Sequence, residues 1–368
     1  MNEILVSIVM VMIFLFSIIL RVSFVLVSIF IGSLIAILNS FYNFNFSIEA
    51  LKIFSETAIS FIFFSLGLGY TIEAFISNLK KSLVSSLFDL FNLLIPFIIL
   101  YLITKDFFLS LILGICLYPS STAIVVKILE FQKKLVSKAA EIMIGILLFE
   151  DIILIVILSI LSLYSMSKNN SPIITLFLTI IVIILIFLLS KFVINRYSPL
   201  LERYIQEEIG IFFILGYFLL LYSLSKMLHL PEVLIMFFSS LFISQSVSNS
   251  IRPKLEPLKN FSIGLFILDF MSKTKLNIEV SLNYTILLLI PFFIILKILT
   301  TYLAFKYSRI KFKKEDIVFF LPRGEFSAYV SKFANVEIFA FISILLSNII
   351  VLIEKISLQR KTISKQKK

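Results

Sequence analysis

The segment from Ala139 to Tyr164 is apolar apart from Glu141 at its edge and two adjacent acids near its middle, Glu150 and Asp151. A helix crosses the hydrocarbon of a bilayer in about 20 residues at roughly 1.5 Å each, and this segment is long enough. Counted from Ala139, Glu150 lies roughly 17 Å deep, close to the midplane. A charge there costs at least about 2.5–3.5 kcal/mol, so an intramembrane acid is a functional candidate by default. Two side by side call for a function that uses them.

Apolar runs of this kind recur along the whole chain. About thirteen spans can be read, at 4–20, 22–38, 53–73, 82–103, 107–129, 139–164, 172–190, 208–226, 231–248, 257–271, 280–305, 315–334 and 336–354. With 60% of its 368 residues hydrophobic, 15% charged and a mean hydropathy of +1.09, the chain reads as an all-α polytopic membrane protein. The first span follows Glu3 with no basic residue ahead of it and no small-residue cleavage site behind it, unlike a signal peptide. The expected organisation is a membrane domain over 1–355 and a short basic cytoplasmic tail over 356–368. No Gly-rich nucleotide fingerprint or linker interrupts it.

A net charge of +11 raises the question of nucleic acid. The distribution answers it. Of 33 Lys and Arg, 24 fall in one alternating set of connections (Arg21, Lys80–Lys81, 127–138, 191–203, 252–259, 306–314 and the tail), 7 in the other and two inside spans. The positive-inside rule then puts the N-terminus outside and the C-terminus in the cytoplasm of a multi-pass cell-membrane protein. The basic excess belongs to topology and lipid contact, not to a nucleic-acid surface. One Cys and one His, Cys116 and His229, leave disulfide frameworks, Ser-His or Cys-His catalysis and zinc sites poorly supported. The chain is not expected to be an enzyme or to carry a cofactor.

Two spans contain breaks. In the fifth, Leu117-Tyr118-Pro119-Ser120-Ser121-Thr122-Ala123 sets a proline near the centre, followed by three hydroxyls able to satisfy freed backbone groups or ligate a cation. In the twelfth, Leu321-Pro322-Arg323-Gly324-Glu325 adds two charges to the break. The spans are an odd number apart, so they cross in opposite directions. Paired interruptions in two inverted halves point to a transporter site at the midplane. Lys297, in the eleventh span, lies at a depth from which its stem reaches Glu150 and serves as its counter-charge. For Glu56, Asp89, Asn92 and Asp269, helix packing or interfacial placement accounts for each as well as transport does.

These segments resemble the Kef-like branch of the monovalent cation:proton antiporters, which includes bacterial sodium/proton exchangers. The matching residues are Ser120-Ser121-Thr122-Ala123, Gly145 to Ile152 with its acid pair, Lys297 in Leu296-Lys297-Ile298-Leu299, and Pro322-Arg323-Gly324-Glu325-Phe326. The resemblance implies a sodium/proton antiporter-like fold with inverted repeats and two crossed discontinuous helices. It also implies a homodimer and exchange of Na+ or K+ for H+ by alternating access. Asp151 resembles the ion- and proton-binding carboxylate, with Ser121 and Thr122 beside the cation. Glu150 resembles the partner of the span-eleven lysine, and Arg323 and Glu325 are the broken-helix charges. Kef-type potassium systems usually carry Gln-Asp at the acid pair and a nucleotide-binding domain, and this sequence has neither. The rival readings are a proton-independent channel or solute carrier of the same fold, and an intramembrane protease. The protease would need acids on two facing helices.

Overall fold

The computed structural model describes residues 2–42, 46, 51–69, 72–166, 172–189, 191–192, 196, 203–204, 209–243, 245–275 and 284–366. Most of the basic connection 191–203 and the start of the eleventh expected span therefore lie outside the described residues. Among the described residues every longer regular element is an α-helix. In order they are α1 (Asn2–Leu20), α2 (Phe24–Tyr42), α3 (Lys52–Leu68), α4 (Ile72–Thr104), α5 (Phe107–Leu117), α6 (Thr122–Phe131), α7 (Lys138–Met166) and α8 (Pro172–Leu189). They continue with α9 (Ile209–Met227), α10 (Glu232–Leu241), α11 (Gln245–Lys273), α12 (Tyr284–Leu288), α13 (Ile290–Tyr307), α14 (Lys314–Val318), α15 (Glu325–Ser331) and α16 (Glu337–Gln366). Among the described residues, seven helical segments are long and apolar enough to cross a membrane.

The chain divides into two compact units. One comprises Met1–Lys52, Leu79–Asp151 and Gly264–Lys368; the other comprises Ile53–Asn78 and Ile152–Ile263. Glu150, Asp151, Lys297, Arg323, Glu325, Ser121 and Thr122 all fall in the first. In the second, Phe61 stacks on Phe218 at 3.8 Å between ring centres, and Lys226 pairs with Glu232 across the short turn before Pro231.

Local chemistry sets the helix ends. The Asp106 side chain accepts the Leu109 N–H at 2.9 Å and starts α5, and Ser137 Oγ accepts the Ala140 N–H at 3.1 Å and starts α7. Glu141 then sits in the first turn of α7, where a negative charge suits the helix dipole. Lys133 has φ 55°, a left-handed turn that ends the chain's run beyond Phe131.

The tenth span begins earlier than the apolar reading placed it. Helix α11 starts at Gln245, not 257, and runs through Pro253 and Pro257. Val247, Ile251 and Leu255 repeat every four residues and are buried, so this half is amphipathic rather than apolar. A search for continuous apolar runs passes over such a helix.

Candidate ion site

Both expected breaks are present. The fifth span is divided at Tyr118–Ser121 between α5 and α6, and the twelfth at Phe319–Gly324 between α14 and α15. A proline removes one backbone donor and clashes with the preceding turn, which is why neither span continues as one helix. The breaks pack directly on each other. Ser121 donates its N–H to the Pro322 carbonyl at 2.7 Å, Ser120 Oγ donates to the Phe320 carbonyl at 2.9 Å, and Ser121 Oγ donates to Glu325 Oε2 at 2.8 Å. Gly324 makes this approach possible, since a Cβ there would stand 2.9 Å from Ser121 Cβ and Oγ.

The break in the fifth span turns its backbone to charged side chains. The Tyr118 carbonyl accepts from Lys297 Nζ at 3.2 Å and from Arg323 Nη1 at 3.4 Å. Two residues on, the Ser120 N–H donates to Glu150 Oε2 at 2.7 Å. The carbonyl end of α5 thus meets two cations, and a free N–H beside it meets a carboxylate, as the dipoles of a broken helix favour.

Lys297 and Glu150 form the expected pair, at 2.6 Å with both side chains buried. The pair is not alone. Asp89, on α4, reaches the same ammonium at 2.8 Å, and Asn92 donates to Asp89 Oδ1 at 2.9 Å while accepting from Thr300 Oγ1 at 2.9 Å. Phe320 and Tyr118 flank the ammonium, with ring centres 4.8 and 5.8 Å away. Sequence reasoning left Asp89 among positions that packing explains equally well. The signal that could have found it was its place one turn before Asn92 on a polar face of α4.

Asp151, one residue beyond Glu150, is also buried and leaves the helix about 100° round from it. Arg323 is buried: its N–H donates to Ser347 Oγ at 3.2 Å, and its carbonyl accepts from Asn348 Nδ2 at 2.8 Å. Ser121 is turned to Glu325 in the second break. Thr122 Oγ1, at the start of α6, is buried with no hydrogen-bond partner among the described residues. The other weak candidates separate from the site. Asp269 pairs locally with Lys273 at 2.7 Å, and Glu56 is exposed. Cys116 is buried where α5 packs on α15, its Sγ 3.6 Å from the Ser327 carbonyl.

Asp89, Glu150, Asp151 and Glu325 against Lys297 and Arg323 leave two negative charges unbalanced when all six are ionised. All are at most 5% exposed. Enclosing a net negative charge is expensive, so this cluster suits mobile positive charge: protons or a small cation. Carboxylate, hydroxyl and carbonyl oxygens are hard donors that suit such a cation.

Residues 5–357 match the family described as sodium/hydrogen exchanger, transmembrane. The ammonium/H+ antiporter subunit AmhT of Alkalihalophilus pseudofirmus is 23% identical over 297 residues, covering 78% of this chain and 76% of AmhT. The K+/H+ antiporter subunit KhtU of Bacillus subtilis is 25% identical over 232 residues, 61% of this chain and 56% of KhtU, so little more than half of that relative is spanned. In fold, the sodium/proton antiporter MjNhaP1 of Methanocaldococcus jannaschii superposes with a TM-score of 0.65 at 18% identity, covering 96% of this chain and 97% of that one. With nearly its whole length matched to one family, and with the two crossed breaks and the buried acid–lysine cluster in place, the chain belongs to the sodium/hydrogen exchanger transmembrane family.

Proposed function

We propose that this protein exchanges a monovalent cation for protons by alternating access, with Asp151 as the carboxylate that cation and proton occupy in turn. One observation carries the reading: a buried acid pair lies beside two helix breaks packed on each other, with more negative than positive side chains enclosed. A desolvated carboxylate is a base as well as a cation ligand. Protonated or cation-bound, it loses the desolvation cost of the bare anion. Only loaded forms then re-expose the site, and exchange follows rather than leak.

Within this reading Glu150 and Lys297 form the counter-charge pair beside Asp151. Ser121 and Thr122 border the cation, and Arg323 and Glu325 balance the second break. The cycle needs no cofactor. Sodium, potassium and ammonium, the cations in the names of the relatives and the structural neighbour, are the ions to test. The charge asymmetry of the connections supports an outside N-terminus and a cytoplasmic C-terminus, and the family resemblance supports a homodimer. Residues 1–355 form the membrane domain in this scheme, with 356–368 as its basic end.

The test is proton flux in proteoliposomes loaded at acid pH and challenged with each cation. Wild-type protein should release protons on cation addition, and Asp151→Asn should not. Undiminished exchange by Asp151→Asn removes Asp151 from the mechanism.

A further inference from the structure

Between α6 and α7 the chain closes a tight turn, in which the Ser137 N–H donates to the Lys134 carbonyl at 2.8 Å. The two central positions of such a turn favour Gly, Asn, Asp or Pro. Here they are Leu135, 38% exposed, and Val136, fully exposed. The backbone of the turn has no use for two apolar side chains at its tip.

The place of the turn along the chain fixes its height. It joins two membrane-length segments, Phe107–Phe131 and Lys138–Ser162, and Val136 stands two residues before the second. Two residues reach at most about 7 Å, and the headgroup layer on each side of the hydrocarbon is about 5–8 Å thick. The tip therefore lies at headgroup level rather than in bulk water.

Charge completes the pattern. The acids around the turn are each held: Glu130 by Lys127 at 2.6 Å, Glu141 by Lys81 at 3.5 Å, and Glu315 and Asp316 by Lys134 at 3.0 and 2.9 Å. Lys133 and Lys138, exposed on either side of the apolar tip, form no ion pair among the described residues. Two ammonium groups flanking two exposed hydrocarbon side chains match an anionic lipid surface, which offers phosphate above and acyl chains beneath. A second copy of this chain would present the same basic face and repel it.

We propose that the α6–α7 turn docks into the headgroup layer, with Leu135 and Val136 against the upper acyl chains and Lys133 and Lys138 on anionic phospholipid headgroups. The effect reaches beyond the lipid. Lys134, in the same turn, holds Glu315 and Asp316 on α14, and α14 leads into the break at Phe319–Gly324. A docked turn steadies the end of α14 as well. Docking requires only that the chain lies in a membrane, so it stands or falls apart from ion exchange.

The chain contains no Trp, so Val136→Trp places a single fluorophore at the tip of the full-length protein. In bilayers of equal phosphatidylcholine and phosphatidylglycerol its emission should be blue-shifted against tryptophan in water. Phosphatidylglycerol brominated near the top of its acyl chain should quench it severalfold more than phosphatidylcholine brominated at the same place. Lys133→Gln with Lys138→Gln should bring the two to parity. Water-like emission quenched by iodide and not by brominated lipid overturns docking. Shielded emission that ignores brominated lipid and is lost on dilution of the protein means that a second copy covers the tip, and overturns it too. Equal quenching by both lipids in the variant carrying both lysines overturns the anionic partner. Tryptophan itself favours interfaces, so the native turn is measured alongside. Hydrogen–deuterium exchange over 132–137 and 314–318 of the wild type should be several times slower with phosphatidylglycerol than in phosphatidylcholine alone, a difference that Lys133→Gln with Lys138→Gln removes. Unchanged exchange over 132–137 overturns docking, and unchanged exchange over 314–318 alone overturns its link to α14.

Discussion

The Lys297 ammonium and the Glu150 carboxylate meet at 2.6 Å with essentially no solvent exposure. Removing one member of such a pair strands the other charge and typically costs about 3–5 kcal/mol. Lys297→Met should therefore lower the melting temperature of detergent-solubilised protein sharply. Lys297→Met with Glu150→Gln should cost less than the two single changes added together, because each removes what the other leaves unpaired. Additive losses in that cycle would mean the pair is not coupled.

Gly324 has φ −163°, extended backbone open to any residue, so its role is steric. Gly324→Ala would press a methyl group onto Ser121 and force the breaks apart, at about 1–3 kcal/mol for overpacking. Exchange should fall as Ser121 loses its place against Pro322 and Glu325. Ser121→Gly added to Gly324→Ala should recover stability, since it removes the atoms struck. Thermal melts of the single and double variants check this; an unaffected single variant would show that the contact yields freely.

The breaks and the Glu150–Lys297 pair were legible because composition marks them: prolines and charges stand out inside apolar runs, and counting residues gives their depth. Asp89 was not. Sequence gives the height of a residue along its helix, but which way its side chain turns depends on neighbouring helices. One acid with an Asn a turn away fits a packed interface as readily as an ion site. The placement of Ser121 was hidden for the same reason, since only the crossing of two breaks brings it to Glu325. The amphipathic half of α11 escaped for another reason: a helix with one apolar stripe does not raise the local hydropathy of a window.

Lys134, in the connection between α6 and α7, holds Asp316 at 2.9 Å and Glu315 at 3.0 Å on α14. The outer ends of both broken segments are tied by this contact. Partial burial pulls the Lys134 pKa down, but hydrogen bonds and charge from Asp316 and Glu315 outweigh it and set the pKa above its ordinary 10.5. A group raised on folding stabilises fully below its unfolded pKa and loses that contribution as pH rises through the folded one. Stability should fall at the strongly alkaline end, and Lys134→Gln should flatten that limb in melts taken across pH. An identical alkaline limb in Lys134→Gln would show that other groups set it.

Asn348 supplies the donor that the second break lacks. Its Nδ2 gives hydrogen bonds to the Arg323 carbonyl and to the Ile344 carbonyl, each at 2.8 Å. Asn348→Leu keeps the branched shape and leaves a buried carbonyl unpaired, a cost of about 1–3 kcal/mol. Freed of this hold, the Arg323 backbone can shift, and its Nη1 contact with the Tyr118 carbonyl shifts with it. The variant should therefore lose exchange activity beyond what its lowered melting temperature explains. Ser343→Ala is the comparison, because Ser343 bonds only to the Ala340 carbonyl of its own helix among the described contacts and should change neither measurement much. If both variants exchange like the wild type once matched for folded protein, the Arg323 backbone is held by packing and not by Asn348.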